Sequence, residues 1–330
     1  VDLDGFRVEM DQQRDRAKQA RKGGKVDDSQ IATYRNIMET HGVTSFVGYE
    51  SVESSSKIVG LNESIFHDGC FEVFLDVTPF YAESGGQSGD AGTISGENGF
   101  SAAVADTGKP LGRLHAHHVT VNGGTISNGQ SVQLTVDVDR RNRTRANHSA
   151  THLLHAALRN RLGGHVTQKG SMVAADRLRF DFSHNAALSA EDIAVVEAEV
   201  NAEIRGNQSV TTRLMTPDDA IAAGALALFG EKYGDEVRVL TMGKTDDSHY
   251  SLELCGGTHV NALGDIALFT IVSEGAVASG IRRIEALTGE AARLWLVGRE
   301  TQLKNVAAML KTAPDEVGVR IETLISERKR

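Results

Sequence analysis

Histidine and cysteine side chains at two places in the chain have the types and spacing of metal ligands. His148 and His152 lie in the segment NHSATHLLHAALR, and Cys255 and His259 lie further along the chain in ELCGGTHV. Apolar residues around the first pair recur with a helical period, so we expect both imidazoles on the same face of a helix. Three imidazoles and a thiolate match the nitrogen and sulfur ligands of tetrahedral zinc.

Chance is the main alternative for either pair taken alone. Two histidines four residues apart are more often a coincidence on a helix surface than a metal site. Here two pairs share the same spacing, and one of them includes one of the chain's 2 cysteines, which favours metal binding. The sequence therefore predicts a zinc site formed by His148, His152, Cys255 and His259.

The surroundings of these ligands bear on what the metal does. A metalloprotease helix carries glutamate directly after its first histidine, but this chain has Ser149 there, which excludes that class. Four protein ligands are typical of a closed, structural site. Each polar residue near the ligands, taken alone, fits an ordinary solvated surface. Together they lie in the ligand-bearing segments, which favours a site where water or substrate can replace one of the metal ligands. The polar residues are Gln168, Lys169, Asp181, Glu253, Arg282 and Arg283.

Composition is that of a soluble globular protein. The chain has 330 residues, 40% of them hydrophobic and 24% charged, and this length predicts two or three domains. No stretch approaches the roughly 18 apolar residues of a membrane-spanning helix, so we expect no membrane partner. The two cysteines cannot form a disulfide framework, so the cytoplasm is the expected compartment and Cys70 an ordinary core or edge residue.

Charge is distributed unevenly along the chain. The formal net charge of −9 argues against general coating of nucleic acid. Residues 131–180, which include the histidine pair, hold nine basic and three acidic residues, a net charge of about +6. A positive field at a metal site suits an anionic substrate such as an RNA end, although a solvated basic helix fits equally well.

Short elements are expected in the first half. Residues 6–21 predict a polar helix, and Ser29 predicts the cap of a second helix that ends near Glu39. A small barrel is then predicted by short β-like runs at residues 44–49, 57–61, 71–77, 101–105, 118–121 and 131–136. Within it lies TPFYAESGGQSGDAG, whose glycines indicate tight turns or close backbone approach; it lacks the lysine and the context of a phosphate-binding loop.

Helices and strands are mixed in the second half. The histidine helix should end near Gly163, and Ser189 should cap a helix over residues 190–204 with Asp192 in its first turn. Strands are expected at residues 170–173 and 177–182, and at 237–242 and 266–273 on either side of the cysteine segment. Residues 300–330 predict a helix interrupted at Pro314.

Several of these motifs together resemble the editing region of bacterial alanyl-tRNA synthetases. The similar segments are NHSATHLLHAALR, HVTQKGSMV, LRFDFSH, ELCGGTHV and GIRRIEALTG, and FYAESGGQSGD resembles the glycine-rich motif of the preceding barrel. The resemblance implies an α+β fold: a small β-barrel like a translation-factor second domain, followed by a two-layer α+β editing domain shared with threonyl-tRNA synthetase, flanked by helices.

The resemblance also implies domain limits and partners. Residues 1–42 would be the helical end of a tRNA-recognition region, 43–138 the barrel, 139–298 the zinc-containing editing domain and 299–330 a helical connector to a further domain. We expect a piece of a longer synthetase that lacks the class II aminoacylation core and does not charge tRNA. Its expected partners are the acceptor end of tRNA(Ala) and the remaining domains of the synthetase.

Residue roles follow from the same resemblance. The zinc ligands fall on the four residues already named, the editing-pocket glutamine on Gln168, and a carboxylate that precedes the metal cysteine on Glu253. Thr167 is a weaker candidate for recognising a serine hydroxyl. Independently of the resemblance, clustering of basic residues in the ligand-bearing segments of an acidic chain predicts phosphate contacts at Arg145, Lys169, Arg282 and Arg283. Consecutive strand residues point to opposite faces, so only one of the two adjacent arginines need face the RNA.

The expected function is hydrolytic editing of seryl- and glycyl-tRNA(Ala). A tRNA-binding module whose zinc is purely structural is the alternative, since four protein ligands alone do not imply catalysis. A small-molecule zinc hydrolase is disfavoured by the missing glutamate and by the basic window.

Overall fold

Helix α1, Asp28–His41, is the first element of the computed structural model, which describes residues 28–63, 70–226, 234–243 and 249–329. The helix predicted over residues 6–21 lies outside the described residues. Ser29 was expected as a cap, but α1 already includes Asp28, so Ser29 lies within the helix. The ring of Tyr34, on α1, packs against Phe74 of the barrel described next.

Among the described residues up to Val136, eight strands follow α1, and six of them close into the predicted barrel. They are β1 (Ser45–Phe46), β2 (Glu53–Glu63), β3 (Cys70–Leu75), β4 (Val77–Thr78), β5 (Gly92–Gly96), β6 (Ser101–Gly108), β7 (Ala116–Gly123) and β8 (Ser131–Val136). The barrel order is β2-β3-β7-β6-β5-β8, and every pair is antiparallel. Strand β8 alternates exposed and buried residues, with Val132, Leu134 and Val136 inside. Strand β5 was not predicted, because glycine, which disfavours strands, occupies both its ends.

A long helix leads from the barrel into the second unit. Helix α2, Val138–Leu162, begins after Asp137, whose side chain accepts from Arg140 N, and ends before Gly163, as predicted. Helix α3, Ala190–Gly206, begins with a capping box between Ser189 and Asp192, also as predicted. Because the Asp137 cap and Gly163 fix both ends of α2, the positions of His148 and His152 along the helix are fixed as well.

Two antiparallel sheets complete the second unit. The elements are β9 (Gln168–Val173), β10 (Leu178–Ser183), β11 (Thr211–Met215), α4 (Pro217–Ala222), β12 (Val237–Met242), β13 (Ser251–Leu254), β14 (Phe269–Ala278) and β15 (Ile281–Thr288). One sheet has the order β14-β15-β10-β9 and the other β11-β12-β13. Helices α2 and α3 cover one face of the four-stranded sheet, where Leu154, Phe180 and Ile284 share a core. The class is therefore mixed α+β, as expected.

Several element boundaries differ from the prediction, most clearly after residue 260. The strand expected from residue 266 begins at Phe269, because Leu263–Ile266 forms a 3-10 turn instead. The last helical region starts earlier than residue 300, as α5 (Gly289–Leu310), and continues after the break at Pro314 as α6 (Val317–Lys329). Within the described residues, no helix combines the length and the apolarity that crossing a bilayer requires.

Candidate metal centre

The four predicted ligands come together between α2 and the segment that follows β13. His148 and His152 lie one turn apart on α2 and are buried, whereas Cys255 and His259 are half-buried. The ligand atoms all lie within 4.8 Å of one another, and Cys255 Sγ is 3.5 Å from His148 Nε2 and 3.3 Å from His259 Nε2. This group could hold a metal ion.

Neighbouring strands and the barrel hold the cysteine segment in place. Strand β13 pairs with β12, and Cys255 N donates to Arg238 O at 3.0 Å just beyond the paired residues. The Arg238 guanidinium lies 3.3 Å above the ring of Tyr49, and the Tyr49 hydroxyl donates to Gly256 O at 2.5 Å. A barrel residue therefore fixes the backbone directly after the cysteine.

All three imidazoles of the cluster are anchored through Nδ1. The pairs are His148 with Gln87 Oε1 at 2.7 Å, His152 with Glu253 Oε2 at 2.9 Å, and His259 with Ser149 Oγ at 3.2 Å. An amide oxygen or a carboxylate can only accept, so the Nδ1 atoms facing them carry hydrogens, and Nε2 is the ring nitrogen left to face a metal. Outer partners of this kind orient metal-binding histidines.

The donor set fits zinc. His152 Nε2 is buried without a hydrogen-bond partner among the described residues, which leaves a buried polar atom that a metal would satisfy. Tetrahedral zinc places nitrogen and sulfur ligands roughly 3.3–3.8 Å apart, close to the Cys255 distances given above. The cluster needs only a small contraction to reach that geometry.

The charges around the cluster favour binding of a cation. Burial opposes ionisation of Cys255, but the adjacent His148 and His259 outweigh it and hold the pKa of the thiol well below its ordinary value. Burial, together with His148, lowers the pKa of His259 to about 3, so its imidazole is neutral. Burial also lowers the pKa of His152, but the charges of Glu253 and Cys255 outweigh it and raise that pKa to about 10. Cys255 and His259 therefore favour the forms that metals bind, a thiolate and a neutral imidazole, whereas His152 must first lose a proton.

Glu253 connects the cluster to a further buried histidine. Its Oε2 faces His152 Nδ1, and its Oε1 accepts from Ser251 Oγ at 3.2 Å and lies 3.1 Å from His155 Nδ1. Burial raises the pKa of Glu253, but His152 and His155 outweigh it and lower the pKa below its ordinary value. Both carboxylate oxygens are engaged, so the geometry suits Glu253 for positioning His152.

A cleft of about 240 Å³ opens onto the cluster. Its lining includes the ligands His152 and Cys255 together with the polar side chains of Gln168, Thr151 and Ser171. Gln168 lies at the start of β9, and its Nε2 donates to Ser171 Oγ at 3.2 Å. The cleft therefore places an amide and two hydroxyls beside the metal ligands.

Only some of the predicted pocket residues line the cleft. Gln168 and Glu253 line the cleft, but Thr167 is not part of its lining, and its hydroxyl lies 2.9 Å from Ser183 Oγ. The structure adds Thr151 and Ser171, which the sequence reasoning did not single out. Thr151 directly precedes a metal ligand, and Ser171 lies three residues after Gln168, so position within the motifs was the available signal.

Two of the four predicted phosphate contacts are already paired with acids. Arg282 makes two hydrogen bonds to Glu274, at 2.5 and 2.7 Å, and Arg283 makes two to Asp181, each at 2.7 Å. A phosphate would have to displace those carboxylates, so phosphate binding by either arginine stays a prediction and would compete with an existing ion pair.

The other two basic residues are arranged differently. Lys169 is exposed. Arg145 lines a second cavity, of about 390 Å³, beside His259, and its Nε is buried without a hydrogen-bond partner among the described residues. Burial, followed by the neighbouring Arg141, lowers the pKa of Arg145. Of the four, Arg145 and Lys169 are therefore the better placed for a phosphate.

Comparisons with protein families agree with this geometry. The family model described as tRNA synthetases class II (A) matches residues 1–140. The model of the threonyl and alanyl tRNA synthetase second additional domain matches residues 237–285, which include Cys255 and His259.

Curated relatives match along the entire chain. Alanine–tRNA ligases are 62% identical in Sphingopyxis alaskensis, 59% in Rhizorhabdus wittichii and 51% in Parvibaculum lavamentivorans. Each alignment covers 100% of this chain and 38% of the relative, so the chain spans well under half the length of those proteins. Motifs, cluster and sequence identity agree: over its entire length the chain is similar to one part of the alanyl-tRNA synthetases.

Proposed function

We propose that this chain is a cytoplasmic deacylase that hydrolyses seryl- and glycyl-tRNA(Ala), as the editing part of an alanine–tRNA ligase. The observation that carries the proposal is the cleft of about 240 Å³ that opens directly onto the His/Cys cluster. It is smaller than the roughly 300–1,000 Å³ of drug-sized pockets, which suits an aminoacyl group rather than a larger molecule.

Binding selectivity explains the need for such a site. An alanine pocket cannot strongly reject serine, which only adds a hydroxyl, and discrimination of this kind reaches about 10². A second site that hydrogen-bonds the hydroxyl can select serine, because alanine would leave its buried polar groups unpaired. The hydroxyls of Thr151 and Ser171 and the amide of Gln168 supply polar groups of that kind in the cleft.

Hydrolysis adds water across the ester between the amino acid and the terminal ribose, and releases free serine and tRNA. Zinc held by His148, His152, Cys255 and His259 would supply a positive charge next to the scissile ester. Gln168 can both donate and accept, so we assign it to holding the aminoacyl group or the attacking water. Glu253 holds the imidazole of His152 in place through its carboxylate.

A tRNA-binding module with a purely structural zinc is the second candidate. The observation in its favour is the complete set of four protein ligands, with every imidazole anchored by an outer partner. Structural zinc sites are closed in this way, whereas catalytic sites keep an open position.

Deacylation of seryl-tRNA(Ala) separates the two candidates. We expect the wild-type chain to hydrolyse it, and Gln168→Ala to lower the rate about 10²-fold while metal content stays unchanged. Gln133→Ala, on the exposed side of the barrel, is the matched control and should keep the full rate. Wild-type chain that binds tRNA and metal but does not hydrolyse the ester would support the structural alternative.

The two cysteines provide a second matched pair for the same assay. Cys255→Ser should lose metal and hydrolysis together, whereas Cys70→Ser should keep both, because Cys70 lies in the barrel with its Sγ beside Thr120 Oγ1. Full metal content in Cys255→Ser would contradict the ligand assignment.

A further inference from the structure

A tight turn in the glycine-rich segment places Gln87 of the barrel against the second unit. Ser84 and Gln87 exchange backbone hydrogen bonds of 3.2 and 3.0 Å, and Gly85 and Gly86 between them have φ of 59° and 86°. Positive φ at both central residues is the requirement of a type I′ turn, which glycine meets without strain. Val173 N then donates to Gly86 O at 2.7 Å, which attaches the turn to the edge strand β9.

The Gln87 side chain is fully buried and makes three hydrogen bonds across the junction. Its Oε1 accepts from Thr258 N at 2.9 Å and lies 2.7 Å from His148 Nδ1, while its Nε2 donates to Thr258 Oγ1 at 2.9 Å. A backbone N–H can only donate, so the Gln87 atom that faces it must be the oxygen. The same oxygen faces His148, whose Nδ1 must then carry the hydrogen.

The contact between Gln87 and His148 is possible because Gly257, which lies against both, has no side chain. A Cβ at position 257 would fall inside van der Waals contact of His148 Cε1 and 2.8 Å from Gln87 Oε1. Any larger residue would therefore push apart the imidazole and the amide that bind each other.

A second attachment holds the same loop against α2. Arg141, two turns before His148, is fully buried and forms an ion pair with Asp90 of the glycine-rich segment. Arg141 also donates to Gly48 O at 2.8 Å and to Pro79 O at 2.6 Å. The loop is thus attached to α2 at two positions along the helix, Arg141 and His148. These two attachments restrict movement of Gln87 away from His148.

From these contacts we propose that Gln87 is a positioning residue of the metal centre, and that the barrel thereby sets the affinity of the second unit for a divalent metal. The proposal rests on the proposed metal site. Gln87 holds His148 in the tautomer whose Nε2 lone pair faces Cys255, which is the form a metal binds. Loss of such an outer partner weakens metal binding about 10- to 100-fold.

Cobalt titration of the full chain tests the proposal. The thiolate-to-cobalt absorption band reports binding at Cys255, and competition with a chelator gives the affinity for Co²⁺. We expect Gln87→Met, which keeps the volume but loses the amide oxygen, to bind Co²⁺ about 10- to 100-fold more weakly. Gln87→Glu keeps an acceptor oxygen and should restore binding to near the wild-type affinity. Ser88→Ala, in the same loop, is the matched control and should bind as wild type.

Three outcomes would overturn the proposal. Wild-type affinity in Gln87→Met together with a lower unfolding temperature of the metal-free chain would mean that Gln87 only joins the two units. Weak binding in both Gln87→Met and Gln87→Glu would mean that the acceptor oxygen is irrelevant. Absence of the band in the wild-type chain would remove the metal site itself, and this is distinct from the other two results.

One measurement does not depend on any variant folding. The ¹⁵N shifts of His148 in the wild-type chain report which ring nitrogen carries hydrogen, and we expect protonated Nδ1. A lone pair at Nδ1 would contradict the proposal.

Discussion

At the scale of residues, the imidazoles of the cluster differ in the protons they hold before a metal binds. His152, with a pKa of about 10, is protonated at neutral pH, and His259, with a pKa of about 3, is not. The lowered pKa of Cys255 favours its thiolate form. A metal at His152 Nε2 must displace its proton, so we expect zinc binding near pH 7.5 to release about one proton, and none once the pH exceeds the pKa of His152.

Calorimetry measures this release. The zinc-binding enthalpy, recorded in buffers of different ionisation enthalpy, gives the number of protons transferred. A release near two would mean that Cys255 binds as a thiol that must ionise, and a release near zero would mean that His152 is neutral in the metal-free chain.

The four ligands and Glu253 could be predicted from the sequence, but the partners of His148 and His259 could not. His148 and His152 share a local helical spacing, and Cys255 and His259 share a motif. Gln87 is 61 residues away from His148, and the side chain that it contacts depends on how two units pack. Spacing along a chain carries no information about such a contact.

At the scale of elements, the loop after β13 offers a matched pair of glycines. A Cβ at Gly257 would collide with His148 Cε1, whereas a Cβ at Gly256 would come no closer than 4.0 Å to its nearest neighbour, Tyr49 Oη. We expect Gly257→Ala to weaken metal binding at least about tenfold, because the imidazole must leave its position. Gly256→Ala should bind metal as wild type.

Cobalt competition and metal content measure both variants. Equal affinity in Gly257→Ala and Gly256→Ala would mean that the loop moves away without cost and does not define the position of His148.

Helices with a clear cap or terminating glycine could be predicted from the sequence, whereas a very short strand could not. The end of helix α2 at Gly163 and the start of α3 after its cap Ser189 were both predicted. Strand β13 has only 4 residues and was missed. It is a strand because β12 offers it hydrogen bonds, and that neighbour is supplied by the fold.

At the scale of the whole molecule, the basic window of residues 131–180 is partly neutralised by acids from elsewhere. Arg141 pairs with Asp90, and Arg161 pairs with Asp192, at separations of 51 and 31 residues. The sequence predicted the charge count, but not these pairs. The positive field available to RNA is therefore smaller than the count of about +6 implies.

Salt dependence of tRNA(Ala) binding tests where the remaining charge acts. We expect Arg145→Gln and Lys169→Gln each to reduce the slope of log affinity against log salt by roughly 0.7, because each loses one phosphate contact. Arg282→Gln and Arg283→Gln remove the same charge from residues paired with acids, and should leave the slope unchanged.

Fluorescence anisotropy of labelled tRNA(Ala) over a range of KCl gives the slopes. Flatter slopes for the Arg282 and Arg283 variants, with no change for the Arg145 variant, would place the RNA along β15 and away from the cavity beside His259.

The reach of Gln87 across the junction has a consequence for how this protein can evolve. A crossover that joined this barrel to a helix α2 without His148 and Arg141 would leave Gln87 and Asp90 without those partners. Removing one member of a buried ion pair is costly. Where lineages differ at these positions, exchange of the barrel together with the following unit keeps both pairs, so the two behave as a single heritable module.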